Sequence, residues 1–343
     1  MKKISKILAM LLVLTALLSL FTGCSAKESA PADKPAEKVE EKPAVDFPGG
    51  KPITLIVGFA PGGGTDVGNR ILAPYLEKEL NTTITVVNKE GSAGWVSLGE
   101  VVNMEPDGYT IAAFNNTIDY AGLNPSTNYT LTSDDFQWLG CTVVDIASVC
   151  CRADEKRWSN FKELIEYAKK NELTVTVSGA GTEDQIILEL MNARLGTKFV
   201  TVVTAGGAAE GTAALLGGHV DLTSANVGEV LTNCREGNFK CLAVFDKERS
   251  KFFPDTPTCE EVTGEAIYAN SSRGHLMPKG GDPKVVETLV KAYERASKNP
   301  EYIEKMAEMG LEVIYQSPEE FIKNIKAVAE DVKSILPALG WDK

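Results

Sequence analysis

Residues 53–66 read Ile53-Thr54-Leu55-Ile56-Val57-Gly58-Phe59-Ala60-Pro61-Gly62-Gly63-Gly64-Thr65-Asp66. The near-continuous apolar run predicts a strand buried on both faces. A proline, three glycines and Thr65-Asp66 follow, then a helical pattern with Val67, Ile71, Leu72 and Leu76 on one face. Strand, glycine loop and helix N-terminus together make a junction suited to an anion. The first helical N–H groups have no acceptor inside the helix. Glycines let neighbouring N–H groups converge on one spot. The helix dipole adds about 0.3–1 kcal/mol for a nearby negative charge. Asp66 opposes an anion unless it caps the helix or accepts bonds from ligand hydroxyl or ammonium groups.

Other readings of the loop fit less well. A dinucleotide site needs G-x-G-x-x-G, whereas Gly62, Gly64 and Gly68 give G-x-G-x-x-x-G. The second strand closes on Val87-Asn88-Lys89 without a clear acid for a ribose. A phosphate-binding P-loop needs G-K-[ST] after the glycines, and no lysine is present. A tight turn that binds nothing remains an alternative. The reading that best uses the exposed N–H groups is a site for a small carboxylate.

The chain opens on a targeting segment. Lys2, Lys3 and Lys6 form a basic start, and Ile7 to Phe21 is an apolar core shorter than a membrane span. Phe21-Thr22-Gly23-Cys24 resembles a bacterial lipobox, with cleavage before Cys24 and lipidation of its sulfur; a plain cleaved signal is the alternative. Residues 1–23 are therefore expected to be a lipoprotein-type signal peptide. Residues 24–47, rich in Lys, Glu, Pro and Ala, are expected to be the anchor cysteine and a flexible tether. The chain would then be anchored to the bacterial cell membrane rather than spanning it.

The formal net charge of −12 becomes −15 once Lys2, Lys3 and Lys6 are removed. Such an acidic surface argues against nucleic acid. It offers no general attraction for an anion, so local donors must hold one. Besides Cys24 there are Cys141, Cys150, Cys151, Cys234, Cys241 and Cys259, with no C-x-x-C pair and hence no zinc pattern. Export permits disulfides. Cys234 and Cys241 flank a helix–turn–strand junction and can pair; buried free thiols are the alternative.

From Thr83 onward strands and helices alternate with short links, which predicts α/β architecture with parallel sheets. Strands are expected at 83–88, 109–114, 173–178, 199–203, 220–224 and 239–245, with helices between them. Ligands on such sheets sit beyond the carboxyl ends of the strands. Phe59–Asp66 and Asn115–Thr117 are two such ends and should face one cleft. Gln137–Cys151 is a long β-rich stretch that can cross into a second lobe. Ser159 is expected to cap a helix over 160–170, and Thr182 with Gln185 to form a capping box opening a helix to Leu195. Val177-Ser178-Gly179-Ala180-Gly181-Thr182 repeats the strand–glycine–cap pattern. Two glycine loops facing each other across a cleft would form a clamp. Charge-assisted bonds contribute about 1.5–3 kcal/mol each, so a few net bonds reach the ~8 kcal/mol of micromolar binding.

These segments resemble the extracytoplasmic solute receptors of the tripartite tricarboxylate transporter family. The motifs run in the family's order over residues 48–335. They are Lys51-Pro52-Ile53 through Asp66, Pro106-Asp107-Gly108-Tyr109-Thr110, Asn124-Pro125, Ser178-Gly179-Ala180-Gly181-Thr182, Leu215-Leu216-Gly217-Gly218-His219-Val220-Asp221 and Ser317-Pro318-Glu319-Glu320-Phe321. The resemblance implies a two-lobed periplasmic-binding-protein-like fold of type II, each lobe a mostly parallel sheet flanked by helices. Lobe 1 would comprise 48–145 plus 270–343, and lobe 2 146–269. It also implies a carboxylate held between the lobes by Phe59, Gly62, Gly63, Gly64, Thr65, Asp66 and Asn115, and by Ser178, Gly179, Gly181, Thr182 and Asn226.

Departures from the family's pattern bear on the ligand. Glu183 stands where a small polar residue or histidine is common; it can accept bonds from a ligand amino or hydroxyl group, or simply favour the helix N-terminus. The family's Tyr-Lys-Gly loop is Ala205-Gly206-Gly207 here. An aromatic pair before Pro278 is replaced by Ser272-Arg273, and Arg273 can hold a second carboxylate or form a structural ion pair. Trp95 can line the cleft or pack in the core. His219 reads as solvated and His275 as structural, and neither has partners for a triad.

The function expected is capture of a small carboxylate and delivery to the family's large and small membrane permease subunits, by a monomer without metal, cofactor or catalysis. A ligand sensor feeding a signalling receptor is the alternative. An extracytoplasmic enzyme would need a nucleophile–base pair or metal cluster that the sequence does not offer.

Overall fold

The computed structural model describes residues 46–342. The expected signal peptide, Cys24 and nearly all of the tether lie outside the described residues. Phe47, placed by sequence at the tether's end, packs on Tyr109 with ring centroids 5.1 Å apart.

In chain order the elements are β1 (Ile53–Val57), α1 (Gly64–Leu80), β2 (Ile84–Asn88), α2 (Trp95–Val101), β3 (Thr110–Asn115), β4 (Phe136–Arg152), α3 (Phe161–Ala168), β5 (Leu173–Val177), α4 (Glu183–Leu195), β6 (Phe199–Val203) and α5 (Ala208–Leu216). There follow β7 (Leu222–Asn226), α6 (Val227–Arg235), β8 (Phe239–Val244), α7 (Cys259–Thr263), β9 (Asn270–Pro278), α8 (Pro283–Ser297), α9 (Pro300–Glu308), β10 (Glu312–Gln316), α10 (Pro318–Ser334) and α11 (Leu336–Leu339).

Two sheets share one strand. In the first, β1 is paired in parallel with β2 and β3. In the second, β5 is paired in parallel with β6 and β7. The 17-residue β4 joins them. Its first part pairs antiparallel with β9 and β10, its last part antiparallel with β7 and β8. Register shifts near Gly140 and between Cys141 and Val143 bend β4 where it passes between the sheets. The antiparallel pairs are those made by strands running between lobes, while the local β–α–β units stay parallel.

Each sheet is covered on both faces. Leu72, Leu76, Leu289 and Tyr302 pack on one face of the first sheet; Trp138, Phe114, Phe321 and Ile325 pack on the other. Trp158, Phe161, Ile187 and Met191 cover the second sheet on one side, and Leu215 and Val230 on the other. Val67, expected on the buried face of α1, is only half-buried. The final residues depart from a simple division at 270–343. Ala329, Val332, Leu339 and Trp341 join the second sheet's core, so the C-terminal helices strap the two halves together.

Local sequence accounts for most helix starts. Asp282-Pro283 and Ser317-Pro318 each supply a cap and a first-turn proline, with the Ser317 hydroxyl accepting from Glu320 N–H. Two caps differ from expectation. Asn160, not Ser159, caps α3, its Oδ1 accepting from Glu163 N–H at 3.0 Å. The Thr182–Gln185 box does not form. Thr182 Oγ1 donates to the Gly179 carbonyl, and Gln185 Oε1 accepts from Gly181 N–H and Asn124 Nδ2. Gln185 is instead held by Asn124, in the loop that follows β3. Cys234 and Cys241 are free, as are the other described cysteines.

Gly274 on β9 sits where β9, β4 and α10 converge. A Cβ there would lie 2.2 Å from a Phe321 ring carbon and 2.8 Å from the Gly140 carbonyl. Gly274→Ala is expected to lower stability by about 1–3 kcal/mol, read as a lower midpoint in urea unfolding. A midpoint equal to wild type would contradict this packing.

Candidate functional site

The carboxyl ends of β1, β3, β5 and β7 converge on one cavity between the sheets. Phe59, Gly63, Gly64, Thr65, Asn115, Ser178, Glu183, Asn226 and Arg273, all expected from the sequence, line it. Gly206, Ala208, Glu229 and Ser271 line it too and were not anticipated. The cavity is about 20 Å³, room for roughly one water. A larger cleft of about 340 Å³ adjoins it, sharing Gly63, Gly64, Ala208 and Glu229 and adding Gly62, Val67, Met309 and Leu311.

The first glycine loop is braced from behind. Asp66 accepts from Gly62 N–H at 2.9 Å, from Arg70 Nε at 2.9 Å and from Asn88 Nδ2 at 2.8 Å. Burial works against its charge, but Arg70, Gly62 and Asn88 outweigh it and hold the carboxyl below its ordinary value. Asp66 therefore points away from the cavity and ties the loop shut, which removes the repulsion expected of it. Asn69 Nδ2 donates to the Thr65 carbonyl at 2.8 Å, and His275 Nε2 meets Asn69 Oδ1 at 2.6 Å. Burial pushes His275 down to about 3, so the ring is neutral and structural. The cap of α1 is Gly63, which has no side chain to satisfy the first helical N–H groups.

The second glycine loop has a different role. A Cβ on Gly179 would lie 2.3 Å from the Ala93 Cβ, and one on Gly181 2.7 Å from the Ala121 carbonyl. Gly228 and Gly310 meet Leu311 and Leu231 as closely. These glycines let the two sheets' loops touch. Gly179, Gly181 and Thr182, expected at the ligand, sit at this contact and do not line the cavity. Ala93 has φ +53 where it meets Gly179. Trp95 packs in the core, stacked on Tyr129 at 4.3 Å. His219 is exposed.

Arg273 is the cavity's cation and lies almost wholly inside, 5% exposed. Its Nη2 donates to Asp145 Oδ2 at 2.8 Å and to Glu229 Oε1 at 3.3 Å. Asp145 Oδ1 accepts from Gly228 N–H at 3.0 Å, the first turn of α6. Glu229 Oε2 accepts from Asn226 N–H at 2.9 Å. Asp145 and Glu229 are raised to about 6 and about 7, burial outweighing the pull of Arg273. Glu183 Oε1 accepts from Asn226 Nδ2 at 3.1 Å. Asp184 is raised well above its ordinary value, first by burial and then by Glu183 and Glu229, and bonds to Ser178 Oγ. Ionisable side chains so packed can hold a charged group by complementary charge. Among the described residues, none of the metal-ligating types gather in a group suited to a metal ion. Asp145 and Glu229 carried no sequence signal beyond being acids in a β-rich stretch and a first helical turn.

Comparison with known proteins gives a consistent picture. The family model described as Tripartite tricarboxylate transporter family receptor matches residues 69–341. A protein of Cupriavidus necator, named UPF0065 protein in gbd 5'region, is 28% identical over 295 residues, covering 85% of this chain and 89% of its own. The solved structure of the periplasmic binding protein BugD is 28% identical with a TM-score of 0.79, covering 84% of this chain and 97% of its own. MatC from Rhodopseudomonas palustris with bound malate, 22% identical, shares the fold with a TM-score of 0.76, covering 83% and 98%.

Glu229 generates a pH prediction. Its folded-state value, about 7, lies above the ordinary 4.5, so the stability it contributes is full below 4.5 and lost as pH rises through 7. Wild-type unfolding free energy should therefore fall more steeply than that of Glu229→Gln over this window, by up to about 1.4 kcal/mol per pH unit. Urea unfolding at stepped pH measures both slopes; equal slopes would show that Glu229 ionises normally.

Proposed function

This chain belongs to the tripartite tricarboxylate transporter receptor family, and from that premise we propose that it captures a small carboxylate between its two lobes for a membrane permease. Its family makes it a solute-binding receptor, not an enzyme. In the proposed mechanism the ligand carboxylate meets the open N-terminal turn of α1 at Gly64 and Thr65 together with the Arg273 guanidinium. The carrying observation is that adjacency: a Cβ on Gly64 would lie 2.8 Å from Arg273 Nη1. Backbone N–H groups, a helix N-terminus and a buried guanidinium on one spot are what a carboxylate needs. MatC, alike in fold, holds malate, so this architecture seats a small dicarboxylate.

The lobes close through glycine contacts, and water is excluded as they meet. The closed form then presents a surface to the permease subunits. The proposal includes export, anchoring of Cys24 by lipid, and a tether of about 20 residues that lets the receptor reach those subunits. No helix among the described residues is long and apolar enough to cross a membrane. The tether and anchor would hold a monomer near its permease, raising the local concentration of each for the other.

A thermal-shift screen of the full chain against mono-, di- and tricarboxylates tests the reading. One acid should give a saturable rise in melting temperature. Gly64→Ala, which pushes into Arg273 and Glu229, should raise its Kd at least about tenfold, or about 1.4 kcal/mol. Gly179→Ala should weaken binding without touching the cavity, by keeping the lobes apart. Stabilisation by neutral or cationic solutes alone would overturn the carboxylate site.

A further inference from the structure

We propose that the ligand of this cleft carries an ammonium group beside its carboxylate, as an α-amino acid does. The inference rests on the carboxylate-receptor reading and names the class of molecule it takes. Two buried ionisable side chains on the cavity wall have atoms without hydrogen-bond partners among the described residues, as does the neutral Asn226, whose Oδ1 is unpaired. One is Arg273, whose Nε and Nη1 are both free. The other is Glu183, 4% exposed, whose Oε1 is held by Asn226 and whose Oε2 is free. Buried polar atoms of this kind are uncommon, and each costs about 1–3 kcal/mol while unpaired. A free donor pair and a free acceptor, of opposite charge, on one cavity match a molecule whose ammonium and carboxylate groups share one carbon.

The wall's charge favours the same class. Asp145, Glu229 and Glu183 act on a single Arg273. Arg273 Nη2 is already committed to Asp145 and Glu229. A plain dicarboxylate would bring two more negative charges to three buried acids. An α-amino acid brings its own counter-charge. Once the lobes part enough to widen a cavity that now holds about one water, its carboxylate accepts from Arg273 Nη1 and the Gly64–Thr65 turn, and its ammonium donates to Glu183 Oε2. Its side chain can extend toward the adjoining cleft beside Val67, Met309 and Leu311.

Matched pairs test the inference. The full chain is titrated calorimetrically with the twenty protein amino acids and with their des-amino counterparts, such as succinate for aspartate and propionate for alanine. At least one amino acid is expected to bind at least tenfold tighter than its des-amino partner. Glu183→Gln should erase that preference while the des-amino acid binds as before or better. Des-amino acids binding as tightly as amino acids, or tighter, would overturn the ammonium site and leave the carboxylate receptor standing. Amino acid methyl esters binding as well as the parent acids would instead overturn the carboxylate reading itself. Silence from both panels would overturn the ammonium inference, while the wider carboxylate screen decides the receptor reading separately. The wild-type comparison needs no variant, so a Glu183→Gln chain that fails to fold leaves the outcome decisive.

Discussion

The buried guanidinium of Arg273 is the interaction on which the arrangement of the two lobes depends. It leaves β9 in the first sheet and meets Asp145 on the shared strand and Glu229 at the start of α6 in the second. Asp145 in turn accepts the Gly228 N–H. One cation thereby joins the bent middle of β4 to a helix of the opposite lobe. Breaking such a buried pair from one side costs about 3–5 kcal/mol, because the remaining charge is left dry and alone. The pair itself is a weak source of net stability, since both charges lose their water on burial. Its effect is geometric: it sets where α6 and its acid stand relative to the glycine loop of α1.

Close contact between the lobes depends on the absence of side chains. Gly179 against Ala93, Gly181 against Ala121, Gly228 against Leu311 and Gly64 against Arg273 leave no room for a Cβ. At Gly181 the backbone is also left-handed, with φ +76, so glycine serves both geometry and space. The adjoining loops are held stiff by side-chain bonds rather than by long strands. Asp66 with Arg70 and Asn88, and His275 with Asn69, fix the first loop; Gln185 with Asn124 ties the two loops across the gap. Donors held in place this way lower the ordering cost of binding.

Much of the fold was legible along the chain. The run Ile53–Val57 and its glycine loop predicted β1 and a helix directly after the loop, because a fully buried parallel strand needs no polar face; the helix begins at Gly64, within the glycines rather than after Asp66. Asp282 and Ser317 announced their helices through local capping that needs no distant partner. The ends of two strands and a second glycine loop were expected to face a cleft, and nine of the anticipated residues line it. Caps and contacts made across the lobes were not legible. Thr182 and Gln185 carry the spacing of a capping box, yet Asn124, 61 residues from Gln185, takes that side chain. Asp66 looked like an obstacle to an anion until Arg70 and Asn88 were seen to bind it from behind.

What the sequence alone determined is the series of strands and helices, their caps and the strand ends where a ligand can sit. These follow from interactions a few residues apart: burial periodicity, glycine and proline geometry, and first-turn capping. What only the tertiary structure decided is which glycines face a ligand and which make room for the other lobe, and which acids gather round Arg273. Arg273 lies 128 residues from Asp145 and 44 from Glu229 along the chain. Gly179 meets Ala93 only once both sheets are folded on either side of β4. Charge and space at that range are set by packing, and packing has no signature in any short stretch of sequence.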